Sequence, residues 1–242
     1  MIYEKVVIGT FIARPNRFTA HVKIDKKMET VHVKNTGRCK EILVAGAKVY
    51  LEDHSANMKN RKTRYSLVAA EKPHYLQRQE NLLINIDSLA PNKVIKKALM
   101  DGSLVLPGFE KGFTLIRPEK TFGKSRFDFY VEGNANQKAY IEVKGVTLED
   151  RGVARFPDAP TDRGVKHIYE LIEATENGFM TYIIFLVQMH GVEYFEPNDA
   201  THPAFGKALR KAFDKKVNIL AYDSLVGVDT LELNNPVEVR LG

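Results

Sequence analysis

The first 80 residues alternate apolar and polar positions in short runs, and longer periodic segments appear only after them. Successive side chains of an extended strand point to opposite faces of a sheet, so such alternation predicts strands. Five runs separated by turn-forming residues follow the pattern: 5–13, 18–24, 30–34, 47–53 and 64–72. Five short strands without a helical pattern between them predict a small β-barrel. An OB-fold fits the strand count, and an SH3-like barrel fits it as well.

Helical periodicity begins near residue 90 and alternates with strand patterns to the end of the chain. Helices are predicted over 90–102, 161–178 and 203–216. Strands are predicted over 113–119, in a hairpin at 126–146, and over 179–189 and 217–222. The order α-β-β-β-α-β-α-β predicts an α/β (α+β) domain with a mixed sheet flanked by helices. We therefore expect two domains, residues 1–82 and residues 83–242.

The predicted hairpin carries isolated acids in strands that are otherwise aromatic and β-branched. Asp128 lies between two phenylalanines in the first strand, and Glu142 and Lys144 flank a valine in the second. Strict alternation places the five apolar residues on one face of the hairpin: Phe127, Phe129, Val131, Ile141 and Val143. It leaves Asp128, Glu142 and Lys144 together on the other face.

Two carboxylates and a lysine on one face are the groups that metal-assisted phosphodiester hydrolysis requires. Carboxylate oxygens hold Mg²⁺, the metal activates a bound water, and an ammonium offsets charge on the phosphate. Asp128, Glu142 and Lys144 have the spacing of a PD-(D/E)xK nuclease site, so we predict that they are catalytic. The cofactor is then Mg²⁺ or Mn²⁺, held by Asp128 and Glu142, with Glu119 as a further candidate ligand and no organic cofactor. The alternative is a cross-strand ion cluster on a solvated sheet face.

Basic residues near this hairpin are candidates for contacts with nucleic acid. Arg126 shares strand parity with the acid of its strand and can pair with a carboxylate or a phosphate. In the predicted helix 161–178, Arg163 and His167 are spaced i, i+4 and so lie on one stripe, with Lys166 beside them. The alternative for this helix is an ordinary solvated basic side.

Charge is distributed unevenly along the chain. Residues 1–80 carry a net charge of +8 and residues 81–242 a net charge of −2, against +6 for the whole chain. A basic barrel with aromatic residues between its arginines is typical of proteins that bind nucleic acid, although a solubilising surface has the same composition. The candidate contacts in the barrel are five arginines: Arg14, Arg17, Arg38, Arg61 and Arg64.

Cys39 is the only cysteine, which excludes an intramolecular disulfide and a cysteine-rich zinc site. The N-terminal residues lack the apolar core of a signal peptide, and no apolar run is long enough to cross a bilayer. We therefore expect a cytoplasmic protein with no membrane partner.

Several motifs resemble the sugar fermentation stimulation protein A family of bacteria and archaea. They extend over essentially the whole chain and include RPNRF (14–18), NTGRCKEIL (35–43), SRFDFYV (125–131), YIEVKGVTL (140–148) and FPDAPTDRGVKH (156–167). The resemblance implies an OB-like domain followed by a nuclease-like domain, whose nuclease-like positions are Asp128, Glu142 and Lys144. It also implies DNA binding with little sequence specificity and a link to the expression of maltose metabolism genes.

These observations lead to competing hypotheses about function. The first is a DNA-binding protein of that family, and the alternative is a Mg²⁺- or Mn²⁺-dependent endonuclease, so whether the chain is an enzyme stays open. A third hypothesis, a sugar- or metabolite-binding regulator, rests only on the family's phenotype, and the chain has no tryptophan for a sugar platform. The oligomeric state is also open, with a homodimer as one alternative.

Overall fold

The computed structural model describes residues 1–35, 37–58, 60–73 and 81–242. The first five strands coincide with the predicted runs: β1 (Val6–Asn16), β2 (Thr19–Ile24), β3 (Lys27–Val33), β4 (Lys48–Asp53) and β5 (Tyr65–Lys72). Around the barrel the order is β1-β2-β3-β5-β4, and β4 pairs again with β1. All of these pairs are antiparallel except β3 with β5. A five-stranded barrel of this connectivity is of OB type, which decides between the two predicted barrels.

A short strand and a helix connect the barrel to the rest of the chain. The strand β6 (Leu82–Asn85) pairs antiparallel with β5, and α1 (Ala90–Asp101) follows it. The expected boundary between residues 82 and 83 therefore lies inside β6, whose ladder continues the barrel sheet. The backbone N–H of Asn85 also donates to the carbonyl of Gln188 at 2.9 Å, so this segment bonds to both domains.

The second domain is built on a mixed sheet of nine strands. They are β7 (Leu115–Phe122), β8 (Ser125–Glu132), β9 (Lys138–Val146), β10 (Leu148–Asp150), β11 (Val153–Phe156), β12 (Met180–Val187), β13 (Tyr194–Pro197), β14 (Asn218–Val226) and β15 (Leu231–Val239). Their order in space is β10-β11-β13-β15-β14-β12-β9-β8-β7. The other two helices are α2 (Asp162–Glu176) and α3 (Pro203–Asp214).

Helices cover both faces of this sheet. On one face α1 packs against β9 and β15, and on the other α2 and α3 pack against each other and against β12 and β13. β12 lies between β9 and β14, and its residues from Thr181 to Val187 are all buried. Ile184 packs in the core beneath α1, whereas Ile183 packs in the core beneath α2 and α3. This confirms the prediction that the continuous apolar run is a central strand covered on both faces.

The predicted order of helices and longer strands is confirmed, with β6 added to the barrel and four strands added to the nine-stranded sheet. Three of the added strands, β10, β11 and β13, contain only three or four residues, too few to show a period. The fourth, β15, reads LELNNPVEV, and its polar and partly exposed residues do not resemble a buried strand. Within the described part of the chain, no helix combines the length and the apolar character needed to span a membrane.

Candidate functional site

The hairpin loses its regular geometry at Asp128. Pairing of β8 with β9 runs from Glu132 to Phe129 and stops before Asp128. There the carboxylate itself accepts the backbone N–H of Val143 at 2.8 Å through Oδ2. Its Oδ1 accepts a second hydrogen bond, at 2.6 Å, from the side-chain amide of Asn92 in the first turn of α1. In the neighbouring strand β7, Glu119 has a φ of 55°, which a side chain other than glycine adopts rarely.

This irregularity makes one prediction about the hairpin wrong. Phe127 does not share a face with Phe129: its ring lies 5.5 Å from that of Tyr140 and packs in the core beneath α2. Phe129 packs with Ile141 in the core beneath α1. Alternation between faces holds only along a regular strand, and the pairing of β8 with β9 ends before Asp128.

Glu142 is buried among groups that donate to only one of its two oxygens. Its Oε1 accepts hydrogen bonds from Lys144 Nζ and from His167 Nδ1, both at 2.5 Å. Arg163 Nε lies 3.4 Å from His167 Nε2, so Nε2 is the acceptor of the ring and Nδ1 carries the proton given to Glu142. Glu142 is only 3% exposed, and its Oε2 has no hydrogen-bond partner. A buried carboxylate oxygen without a donor is costly, and it marks a place for a cation.

The two carboxylates affect each other's ionisation. Burial and the nearby negative charge of Glu142 raise the pKa of Asp128 above its ordinary value. Burial alone would also raise the pKa of Glu142, but the hydrogen bond from His167 and the charge of Lys144 outweigh it and lower that pKa. Two neighbouring carboxylates, one of them with an unpartnered oxygen, suit a hard divalent cation.

The protein alone does not supply a full coordination shell at this place. Among the described residues, no group of three or more His, Cys, Asp or Glu side chains is arranged to hold a metal. Asp128 and Glu142 can therefore provide two ligands, and main-chain oxygens, waters or a substrate phosphate would provide the others. Mg²⁺ ordinarily binds in this way, because it keeps several of its waters and takes one or two carboxylates.

The other predicted residues near the hairpin lie in more exposed positions. Glu119 and Arg126 form an ion pair at 3.5 Å, with both side chains about two-thirds exposed. Lys166 is exposed and lies 3.7 Å from Glu170, one helical turn further along α2. Glu119 as a metal ligand, and Arg126 and Lys166 as nucleic-acid contacts, stay predictions.

Three of the five predicted barrel arginines make bonds within the barrel. Arg14 donates to four backbone carbonyls, those of residues 17, 35, 37 and 38, and so shapes the loop after β3. Arg61 donates to Ser66 Oγ at 2.6 Å. Arg64 forms a two-bonded ion pair with Asp53 at 2.8 and 2.9 Å. These intramolecular contacts account for an arginine at each of the three positions, and no bound ligand is needed to explain them.

The remaining two, Arg17 and Arg38, are exposed near that loop. The Arg17 guanidinium lies 4.8 Å from the centre of the Phe18 ring. Their proximity follows from Arg14, which bonds the backbone of both residues. Whether all five arginines form one nucleic-acid surface stays a prediction.

Asn92 and His167 are functional candidates that pattern reasoning missed or assigned differently. Asn92 is an ordinary polar residue after a proline in the sequence, and only the packing of α1 brings it to Asp128. His167, predicted to contact nucleic acid, has a buried side chain directed at Glu142. The i, i+4 spacing of Arg163 and His167 predicts that the two side chains are neighbours on α2. It does not predict that His167 bonds Glu142.

Comparison with known proteins agrees with both domains. A family model described as the sugar fermentation stimulation protein RE domain matches residues 89–229, and one described as the SfsA N-terminal OB domain matches residues 12–78. A sugar fermentation stimulation protein homolog of Clostridium botulinum (strain Kyoto / Type A2) is 50% identical over 240 residues, 99% of each chain. The chain belongs to the sugar fermentation stimulation protein family. A homolog from Ruminiclostridium cellulolyticum in the same family is 48% identical over 241 residues, 100% of each chain.

A solved structure from this family has the same fold. It is described as Pyrococcus furiosus SfsA in complex with Ca²⁺, and it superposes with a TM-score of 0.84 at 26% identity. The match covers 99% of this chain and 98% of that one. The two-domain architecture is therefore that of the family throughout its length.

Proposed function

We propose that this chain is a divalent-metal-dependent nuclease that hydrolyses phosphodiester bonds of nucleic acid through Asp128, Glu142 and Lys144. The observation that carries the proposal is the buried Oε2 of Glu142, which has no partner although Asp128 and Lys144 lie beside it. Buried carboxylate oxygens ordinarily have a donor. Among the described residues Glu41 Oε1 and Glu170 Oε2 also lack one, so the position beside Asp128 and Lys144 is what distinguishes Glu142. The Ca²⁺ in the Pyrococcus furiosus relative supports a cation in this family.

Each side chain has a separate task in this proposal. Asp128 and Glu142 would hold a Mg²⁺ or Mn²⁺ ion, which would supply Lewis-acid polarisation of a phosphoryl oxygen and a bound water of lowered pKa. Asn92 and the Val143 amide keep the Asp128 carboxylate in place. Lys144, whose ammonium already bonds Glu142, offsets charge that develops on the phosphate.

The test is cleavage of a labelled DNA strand with Mn²⁺, with Mg²⁺ and with EDTA. Wild type should cut only with metal, and Glu142→Gln should lose at least about a hundredfold in rate, as expected when the cation that stabilises charge in the transition state loses one of its two protein ligands. Titration calorimetry with Mn²⁺ should show heat that is absent in Asp128→Asn. Glu132→Gln, a carboxyl at the other end of the same hairpin, is the matched control and should behave as wild type. Metal-dependent cutting by Glu142→Gln at the wild-type rate would reject the proposal.

A DNA-binding protein without cleavage is the second candidate, favoured by the charge of +8 on residues 1–80 and by the exposed Arg17 and Arg38. In that case the chain binds DNA with little sequence preference and acts on the expression of maltose genes in the cytoplasm. Binding in EDTA should then weaken with salt, and Arg17→Ala should reduce the slope of log K against log salt by roughly one. A salt-independent binding constant would contradict this candidate.

A further inference from the structure

A cleft of about 440 Å³ lies between the barrel and the second domain. Its walls come from several parts of the chain. The barrel contributes Arg17, Asn35 and Gly37, and the second domain contributes the residues directly after Lys144, Gln188 and the segment 155–161 that precedes α2. None of these residues makes one of the hydrogen bonds to Asp128 or Glu142 described above.

The same two elements, β9 and the start of α1, border the cleft and hold the carboxylate pair in place. Gly145, which follows Lys144 in β9, lies in the cleft wall. A Cβ atom at this position would lie 2.7 Å from Cγ of Pro91, so the start of α1 packs directly on the β9 backbone there. Pro91 precedes Asn92, the residue that holds Asp128. A ligand in the cleft would therefore lie next to the proposed metal site.

The size and charge of the cleft limit what can enter it. Its volume is in the range of pockets that hold one small organic molecule, which excludes a base pair together with its two backbones. Arg155 in the wall is neutralised by Glu196 at 2.6 Å and Asp150 at 3.6 Å. Asp158 accepts the backbone N–H of Arg38 at 2.9 Å. The interior therefore carries little free positive charge, and the exposed Arg17 provides a cation at the barrel side.

The wall chemistry suits a nucleobase. Thr147 supplies a hydroxyl, and Gln188 supplies its side-chain carbonyl, because its Nε2 already donates to Asn85 and Asp87. The half-buried Phe156 with Pro157 and Pro160 supplies an apolar surface. Sites for an unpaired base combine hydrogen bonds to the base edge with stacking on an aromatic or apolar side chain. We expect the phosphates on either side of such a base to lie towards Arg17 in one direction and towards the carboxylate pair in the other.

We propose that the substrate is single-stranded or locally unpaired nucleic acid, with one unpaired nucleotide in this cleft and its neighbouring phosphate at Asp128 and Glu142. The proposal rests on the proposed nuclease function and adds the substrate class to it. Duplex DNA can be a substrate only where a nucleotide leaves the helix.

The test fills the cleft without touching the carboxylates. Ala159→Phe adds a ring at a half-buried position in the cleft wall. Ala135→Phe adds the same ring at the exposed turn between β8 and β9 and is the matched control. Fluorescein-labelled oligothymidylate and a mixed-sequence duplex of equal length are titrated in EDTA, so that binding is measured without cleavage.

We expect wild type to bind the single strand more tightly than the duplex. Ala159→Phe should weaken single-strand binding by roughly tenfold or more, as expected when the stacking of one base is lost.

A second variant and a cross-linking measurement make the test independent of how well Ala159→Phe folds. Arg17→Gln adds no bulk to the cleft and removes the guanidinium on its barrel side, so it should also weaken binding of the single strand. Photo-cross-linking of a 5-iodouracil oligonucleotide should modify the peptide that contains Phe156. Wild-type affinity in Ala159→Phe, or cross-links confined to the outer barrel surface, would overturn the cleft proposal.

The two proposals fail in different ways. The heat of Mn²⁺ binding to Ala159→Phe, measured by titration calorimetry, reports on the carboxylate pair alone, because the substitution leaves Asp128 and Glu142 in place. If Ala159→Phe loses the single strand while wild type shows no cutting and no Mn²⁺ heat, the cleft proposal is supported and the nuclease is rejected. If wild type cuts duplex and single strand equally and Ala159→Phe cuts both at that rate, the nuclease is supported and the cleft proposal is rejected.

Discussion

His167 should stabilise the protein chiefly through the charge of Glu142. The imidazole and the carboxylate are both buried, and the 2.5 Å hydrogen bond between them has little contact with solvent. His167→Phe keeps a ring against Phe127, whose centroid lies 6.2 Å from that of His167, and removes both ring nitrogens. The substitution therefore tests the hydrogen bond with little change in packed volume.

The expected loss follows from the type of bond removed. A hydrogen bond to a charged group contributes about 1.5–3 kcal/mol to the free energy of unfolding. Oε1 of Glu142 would retain the Lys144 ammonium, so the carboxylate is not left without a partner. We expect His167→Phe to lower the free energy of unfolding by about 2 kcal/mol at pH 7. His167→Gln can still donate to the carboxylate and should lose less.

The pH dependence of this loss has a definite sign. In wild type, burial would raise the pKa of Glu142, but His167 and Lys144 hold it below its ordinary value. A carboxyl with a lowered pKa stabilises the fold above the pKa of the unfolded chain, about 4.3, and loses that contribution as pH falls through its folded pKa. Without His167 the folded pKa of Glu142 rises. The difference between wild type and variant should therefore be largest near pH 7 and become smaller as the pH falls towards 4.

Urea unfolding in EDTA, followed by far-ultraviolet circular dichroism at pH 7, 5 and 4, measures this difference. The control is His190→Ala, which breaks another bond of a histidine to a carboxylate, that of His190 to Asp223 at 2.8 Å. The His190 side chain is 58% exposed, so its loss should change the free energy of unfolding by less than about 1 kcal/mol. Equal losses in the two variants, or a His167→Phe loss that does not change with pH, would refute the argument.

Two further predictions concern stability away from the site. Phe185 is fully buried and stacks on Phe195 with ring centroids 4.1 Å apart, so Phe185→Ala should lower the free energy of unfolding in urea by about 3–5 kcal/mol; a loss below about 1 kcal/mol would contradict this packing. The hydrogen bonds from Arg64 hold the pKa of Asp53 well below its usual range. Asp53→Asn should therefore be less stable than wild type in urea at pH 7, and the difference should begin to decrease only below the unfolded pKa of about 3.9, because the folded pKa lies well below it; a difference that is already lost at pH 5 would disagree.

The sequence alone determined the elements whose pattern is complete within a short stretch of the chain. The five barrel strands, the three helices and the central strand β12 each show their period within about ten residues. The end of α1 is encoded in the same way, since Gly102 adopts the left-handed φ of 78° that terminates the helix. The chemistry of Asp128, Glu142 and Lys144 was also readable, because carboxylates and a lysine are rare within strongly apolar strands.

Tertiary structure decided the features that depend on residues far apart in the chain. The strands β10, β11 and β13 exist because a neighbour pairs with them, and three or four residues cannot show this beforehand. Asp128 lies beside Glu142 because the pairing of β8 with β9 ends before Asp128, whose carboxylate bonds the Val143 N–H instead. Strict alternation along a regular strand does not predict this geometry. Asn92 and His167 reach the carboxylates only when α1 and α2 pack on opposite faces of the sheet.

The cleft has the same origin. Its walls join Arg17, Asn35, Gly37, Gly145 and the segment 155–161, which lie more than a hundred residues apart at the extremes. Local periodicity reports which side of an element is apolar, and it contains no information on which other element that side meets. The sequence therefore determined the elements and the reactive groups of this protein, and long-range packing decided how those groups are oriented and what space lies beside them.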